Sequence, residues 1–236
     1  MISKSLSQIG LRKIFREKDA HLALPEQQRV YEFMPLQDGF NQFVKRSLDI
    51  VLSIIVIVCI LSWLTPILAL LIKLDSRGPV FFKQLRSGKN SLPFVCYKFR
   101  SMYVNDLADI AQATLNDARF TRIGRFLRRT NLDELPQFFN VLINDMSVVG
   151  PRPHMLAHTE KYKQLLDNYM VRHFVKPGIT GWAQASGYRG ETKLLSEMDL
   201  RVQHDVYYLE NWSFFFDLRI IVLTTWLLIR KDEKAY

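Results

Sequence analysis

Two adjacent carboxylates, Asp133 and Glu134, sit in the stretch RRTNLDELPQFFNVL, directly downstream of a dense arginine run. Pro136 suits a first helical turn, where its missing N–H costs nothing, and Thr130 stands three residues before Asp133 in a capping position. Either register places both acids at a helix N-terminus, whose free N–H groups and dipole favour anions. Acids there are ordinary, and complementing the dipole is by itself a sufficient role. The surroundings argue for more. Arg119, Arg122, Arg125, Arg128 and Arg129 put five guanidiniums into eleven residues, more than the two acids can neutralise, which leaves room for an anionic ligand.

Other stretches point the same way. Arg152 lies between Pro151 and Pro153, where rigid φ on both sides aims its planar fork, a geometry suited to bidentate phosphate binding or simply to a structural turn. Lys98 and Arg100 alternate in YKFRSM and so share one face of a strand. The stretch KPGITGWAQASGYRGET, which contains Gln184, interleaves glycines with polar groups and is expected to form a substrate loop, although each glycine alone signals a turn. An aspartate can attack phosphorus covalently. Arginines and a divalent cation stabilise the charge that develops. Mg²⁺ suits such a site because it binds carboxylate and phosphate oxygens while keeping several waters. His154 and His158 have the spacing of a helical metal pair, but no third ligand accompanies them and zinc is not expected.

The elements that must position these residues include one long apolar run. Ile50 to Ile72 carries no charge over 23 residues, roughly 34 Å as a helix. It starts too late for the apolar region of a signal peptide, and membrane insertion is the expectation. Basic residues flank both ends: Lys45 and Arg46 before it, Lys73, Arg77, Lys83 and Arg86 after it. One straight span cannot place both ends on the positive side. Pro66 withholds an N–H, crowds the carbonyl of Ser62 and pushes Thr65 away from helical geometry; the Ser62 and Thr65 hydroxyls can cover the freed groups. A helix that breaks at Thr65–Pro66 and returns to its own side fits the charges; a kinked span is the alternative.

The remainder reads as α+β, mostly helical with a small β-hairpin. GPVFFKQLRSGKNSLPFVCYKFRSM gives two strands around SGKNS. Helical patterns follow in QFFNVLI and EKYKQLLDNYMVRHF. DLRIIVLTTWLLIRK is too short to span and is read as an interfacial helix, one docked on the first, or a core helix. Residues 1–40 form a polar N-terminal extension in which IGLRKIFREK suits a short interfacial helix or a loose tail. Residues 41–75 hold the membrane helix, and residues 76–236 the catalytic domain with its interfacial helices. A length of 236 residues suits one domain of ordinary size with an appendage. The charge of +9 fits nucleic acid, anionic lipid or phosphate-bearing partners. Cys59 and Cys96 give neither a zinc spacing nor a disulfide framework, as in a reducing compartment.

The chain resembles the bacterial sugar transferases, the monotopic polyprenyl-phosphate phosphoglycosyl transferases. KRSLD, GPVFFKQLRSG, YKFRSM, IGRFLRRTNLDELPQFFNVL, DMSVVGPRP and KPGITGWAQASG stand in the family's order, from about Lys45 to the C-terminus. The resemblance implies a re-entrant membrane helix broken at Pro66 and an Asp133–Glu134 dyad requiring Mg²⁺, with Asp133 as its ligand. It implies transfer of a sugar 1-phosphate from a UDP-sugar to undecaprenyl phosphate with release of UMP. Asp133 attacks the β-phosphate, and Glu134 assists by proton transfer or by positioning metal and phosphate. Lys98, Arg100, Arg125, Arg129, Arg152 and Gln184 are the expected substrate contacts. The implied setting is the bacterial inner membrane, with the catalytic domain on the cytoplasmic face and downstream glycosyltransferases as further partners. GYRGET resembles members that transfer hexose 1-phosphates for exopolysaccharide or capsule assembly. Asn144 departs from the family's glycine, Thr65 from a serine found in some relatives. With 49 residues before the apolar run, the resemblance is to the compact form.

Two other classes compete. A nucleic-acid-binding protein uses the same arginines but gains nothing from Asp133 and Glu134, which repel phosphate without a metal, so no nucleic acid is expected. The alternative to an enzyme is a non-catalytic membrane-anchored scaffold that binds anionic lipid or nucleic acid through its arginines.

Overall fold

The structure is a computed structural model that describes residues 26–105, 114, 117–190, 192 and 194–230. The interfacial helix considered for Ile9–Lys18 lies outside them. The described chain is mostly helical with a small antiparallel sheet, as expected.

Helix α1 (Glu26–Phe33) and a short 3-10 turn lead into a continuous helix from Gly39 to Asp75. Asp38 caps it by accepting from the Asn41 N–H at 2.9 Å. Only 11% of its apolar window is buried, which rules out a core helix. Val58, Leu70 and Leu74 face outward with most of their surface exposed. Its three parts are α2 (Gly39–Val56), a π-helical turn (Ile57–Leu61) and α3 (Ser62–Asp75).

The departure from α geometry therefore falls upstream of Thr65–Pro66, which lie inside α3. The Ser62 carbonyl loses its donor to Pro66, and the widened turn ends at the residue before it; π-bulges and prolines are the usual sources of a bend. Ser62 Oγ donates to the Val58 carbonyl at 2.6 Å and Trp63 Nε1 to that of Cys59 at 2.8 Å, so side chains cover carbonyls within the irregular turn.

Both ends of the long helix are tied to the domain that follows it, each through different elements. Near its start, Lys45 Nζ donates to the Val149 carbonyl, Tyr208 Oη and Asp217 at 2.9, 2.9 and 2.8 Å. Asp49 accepts from Ser147 Oγ and the Val148 N–H. At its end, Asp75 accepts from the Ile123 N–H at 2.8 Å. Leu61, Leu68 and Ile72 close a cluster with Phe99 and Leu127.

The hairpin forms as read, β1 (Phe81–Ser87) against β2 (Pro93–Phe99), in register from Phe81–Phe99 to Ser87–Pro93. Asn90 and Ser91 turn it at positive φ. Helix α4 (Arg122–Arg129), a 3-10 turn (Leu132–Glu134) and α5 (Gln137–Leu142) follow. Strand β3 (Ser147–Val149) then pairs in parallel with β4 (Gly178–Thr180), a pairing absent from the sequence reading. Its glycines are steric: a Cβ on Gly178 would stand 2.1 Å from the Gly150 nitrogen, and one on Gly181 2.2 Å from the Gly150 carbonyl oxygen. Asn144 takes φ 76°, so it supplies the left-handed turn that glycine would.

Helix α6 (Leu156–Tyr162) stops short of the expected EKYKQLLDNYMVRHF helix, whose second half is a 3-10 turn, Tyr169–Phe174. Tyr169, Val171, Arg172 and His173 are all buried there, and burying such consecutive positions overrides the helical period. Helices α7 (Trp182–Ala185), α8 (Leu195–Glu210) and α9 (Phe214–Ile229) complete the chain. Helix α9 docks on α2, β3 and β4 through buried Asp217 and Ile220, leaving Phe215, Val222 and Trp226 outward.

Candidate active site

Asn131 ends the arginine helix in a left-handed conformation, φ 55°, which asparagine tolerates. The chain then folds into the tight turn that carries Asp133 and Glu134. The pair thus stands in a 3-10 turn just before α5 rather than in the first turn of a longer helix. Arg189 Nη2 donates to Asn131 Oδ1 at 2.7 Å, so the GYRGET segment braces the turn.

The two acids have opposite surroundings. Glu134 Oε1 accepts from Lys98 Nζ and Arg152 Nη2, each at 2.7 Å, and Oε2 accepts from Arg152 Nη1 at 3.2 Å. Burial alone would raise its pKa, but Arg152 and Lys98 outweigh burial and hold it well below the usual range. Asp133 is 5% exposed and has neither a hydrogen bond nor an ion pair among the described residues. Burial pushes its pKa up, opposed first by the Lys98 charge. One carboxylate is locked as an anion; its neighbour is a buried oxygen base with open lone pairs.

They face a cavity of about 290 Å³. Among the described residues, eight basic side chains line it against these two acids: Lys98 and Arg86, Arg100, Arg119, Arg128, Arg152, Arg189 and Arg201. Burial brings the pKa of Arg86 and of Arg201 down to about 10, with Arg172 and Arg152 adding to the effect at Arg201. Arg201 Nε and Gln184 Oε1 are buried without a hydrogen-bond partner among the described residues. Mutually repelling guanidiniums and an idle buried N–H are what an anionic ligand would satisfy.

Behind the Pro-Arg-Pro turn, Arg172 donates to the Arg152 carbonyl at 2.9 Å and pairs with buried Asp205 at 2.8 Å. His154 is enclosed by Tyr169 and Arg172, and burial first, then Arg172, holds its pKa well below the usual value.

Lys98, Asp133, Glu134, Arg152 and Gln184 converge as the sequence suggests. Three expected contacts do not join them in that role. Arg100 follows the last residue of β2, and its guanidinium is spent on the Ile72, Ser76, Arg77 and Pro79 carbonyls and the Ser76 hydroxyl. It lines the cavity wall while capping the C-terminal end of the apolar helix. Arg125 and Arg129 are exposed on the outer face of α4, because Gly124 and Leu127 take its inner face. Arg128 is the arginine of that helix that lines the cavity, stacked 4.8 Å from the Phe120 ring. Arg86, Arg189 and Arg201 escaped the sequence reading. Arg86 follows Gln84 by two residues on β1, a spacing that could have placed both on one face. Arg201, in mid-α8, carries no such signal.

Among the described residues no group of three or more His, Cys, Asp or Glu could enclose a metal. With Glu134 occupied, the donor set fits a Mg²⁺ held by the Asp133 carboxylate and by phosphate oxygens of a ligand, and does not fit an all-protein cage.

The bacterial sugar transferase family model matches residues 40–231. Among curated proteins, the UDP-glucose:undecaprenyl-phosphate glucose-1-phosphate transferase of Escherichia coli is 53% identical over 197 residues, covering 81% of this chain and 42% of that protein. Proteins of the same name from Klebsiella pneumoniae and Xanthomonas campestris are each 50% identical, covering 79% and 80% of this chain and 40% and 39% of their own lengths. The chain thus spans about two fifths of these relatives.

Proposed function

We propose that this chain, which belongs to the bacterial sugar transferase family, transfers glucose 1-phosphate from UDP-glucose to undecaprenyl phosphate and releases UMP. The observation that carries the reading is the split dyad: a buried Asp133 with open oxygens beside a Glu134 fixed by Lys98 and Arg152, in a cation-lined cavity. The names of the relatives at 50–53% identity supply the donor and acceptor.

An Asp133 oxygen attacks the β-phosphorus of the donor. The bond from that phosphorus to the bridging oxygen breaks, UMP departs with that oxygen, and a glucosyl-phospho-aspartate remains. A phosphate oxygen of undecaprenyl phosphate then attacks the same phosphorus, and the Asp133 carboxylate leaves. Lys98 and Arg152 stand next to the reacting carboxylate, hold Glu134 in its anionic form and present N–H groups to the phosphoryl oxygens. Arg201, with an idle Nε, and Arg128 receive the remaining diphosphate charge. Mg²⁺, held by Asp133 and the diphosphate, supplies charge neutralisation when bound.

The apolar helix enters the bilayer and returns to its own side, with the site at the cytoplasmic surface of the inner membrane. Ties from both ends of the helix to the domain that follows it support that topology, as do basic residues at each end. By this reading residues 1–40 are an extension, 41–75 the membrane segment and 76–236 the catalytic domain. Later glycosyltransferases consume the product.

The test is UMP release by detergent-purified protein with Mg²⁺, undecaprenyl phosphate and a panel of UDP-sugars. UMP from UDP-glucose, lost in Asp133→Asn, is the expected result. No UMP from any donor would return the chain to the scaffold reading.

A further inference from the structure

The arginines that fail to reach the cavity have a location of their own. On α4, Arg122, Arg125, Phe126 and Arg129 are exposed and fall at i, i+3, i+4 and i+7, one stripe of the helix. The opposite stripe is inward: Leu127 is fully buried against Leu61, Leu68 and Ile72 of the apolar helix. None of Arg122, Arg125 and Arg129 forms an ion pair among the described residues. A further fact fixes the position of this stripe along the chain's apolar segment. Asp75, the last residue of α3, accepts from the Ile123 N–H at 2.8 Å, so α4 begins where the apolar helix ends. Lys73 and Arg77 are exposed at the same place.

We propose that the outer stripe of α4 is a docking face for the anionic phospholipid headgroups of the bilayer. The proposal rests on the membrane reading above and deepens it. Three unneutralised guanidiniums lie beside the emerging end of a lipid-exposed helix, at headgroup level, and carry the complementary charge. Phe126, 46% exposed among them, supplies the apolar component that an interfacial helix buries at the acyl boundary. A face meant only for water gains nothing from that ring, and a nucleic-acid face gains nothing from adjoining an apolar helix. The stripe shares α4 with Arg128, which faces the cavity, so headgroup contact would hold the arginine helix and its following dyad turn at a fixed height over the acceptor's phosphate.

The full chain is reconstituted into vesicles of phosphatidylcholine doped with phosphatidylglycerol, extracted with its lipid shell, and the shell composition is read by mass spectrometry. Wild-type protein should enrich phosphatidylglycerol, and added salt should weaken the enrichment. Replacing both Arg125 and Arg129 by Gln should cut it by about fivefold for each arginine removed. Replacing Lys161 and Lys163 of the α6 region by Gln, an equal charge change elsewhere, should leave it intact. Equal losses in both pairs, no loss in the arginine pair, or displacement of phosphatidylglycerol by added RNA would overturn the proposal. Flotation separates the two levels: protein that leaves the vesicles altogether refutes the membrane reading itself, whereas protein that floats without enrichment refutes only the headgroup face.

Discussion

Asp133 and Glu134 are neighbours in the chain, yet Glu134 is clasped by Lys98 and Arg152 at 2.7 Å each while Asp133 has no hydrogen-bond partner among the described residues. The difference separates a fixed anion from a reactive one and has a thermodynamic signature. Burial raises the folded-state pKa of Asp133, so its contribution is fully present below its unfolded pKa, about 3.9. It is lost as pH rises through the folded value. Asp133→Asn removes that loss. Thermal melts should show the variant more stable than wild type at pH 7, with the gap closing toward about pH 4. A variant less stable at pH 7 would mean that Asp133 has a structural partner.

Arg100 and Arg201 both line the cavity, but their hydrogen bonds assign them different work. Arg100→Met strips the cap from the end of the apolar helix and should cost roughly 3 kcal/mol of stability. Arg201→Met removes an idle buried donor and should raise the KM for the donor nucleotide roughly tenfold, with a smaller effect on melting. Denaturant titration beside steady-state kinetics separates the two, and an exchange of the two phenotypes would refute the assignment.

Gly178 and Gly150 pass so closely that the β3–β4 pair has no room for a methyl group between them. Gly178→Ala should destabilise by about 3 kcal/mol or more, read as a fall in Tm of roughly 6–12 °C. An unchanged melt would show that the strands can separate without cost.

Cysteines at Phe40→Cys and Arg77→Cys, in a background of Cys59→Ser, bracket the apolar helix. If the helix returns to its own side, a membrane-impermeant thiol reagent should label both positions only after the cytoplasmic side is opened to it. Labelling of one from outside intact cells would make the helix a span.

Much of the site was legible in the sequence because its signals are local. Pro151 and Pro153 bracket Arg152, Asp133–Glu134 precede a proline, and Lys98 sits within a β-prone run. The failures are tertiary. Arg100 and Lys98 are two residues apart, but the strand ends at Phe99 and Arg100 turns to the end of a helix 25 residues upstream in the chain. The α4 arginines look interchangeable until Leu127 shows which face is inward, which leaves Arg128 at the cavity and Arg125 and Arg129 outside. The glycines of KPGITG read as loop signals, whereas most of their requirement is the close passage of another backbone. Arg201 became visible only once α8 was placed against the cavity. For the apolar helix, the proline gave the cause of the irregularity, and the ladder placed it one turn upstream.

The central claim, that Asp133 is the nucleophile, is tested most directly by incubating the protein with Mg²⁺ and UDP-glucose but no acceptor. Rapid acid quench and peptide mass mapping then follow. The mechanism predicts a burst of UMP no larger than the enzyme present and a hexose-phosphate adduct on the peptide that carries Asp133, discharged by undecaprenyl phosphate and missing in Asp133→Asn. UMP release that strictly requires the acceptor, with no adduct on that peptide, would contradict it and point to direct transfer between the two substrates.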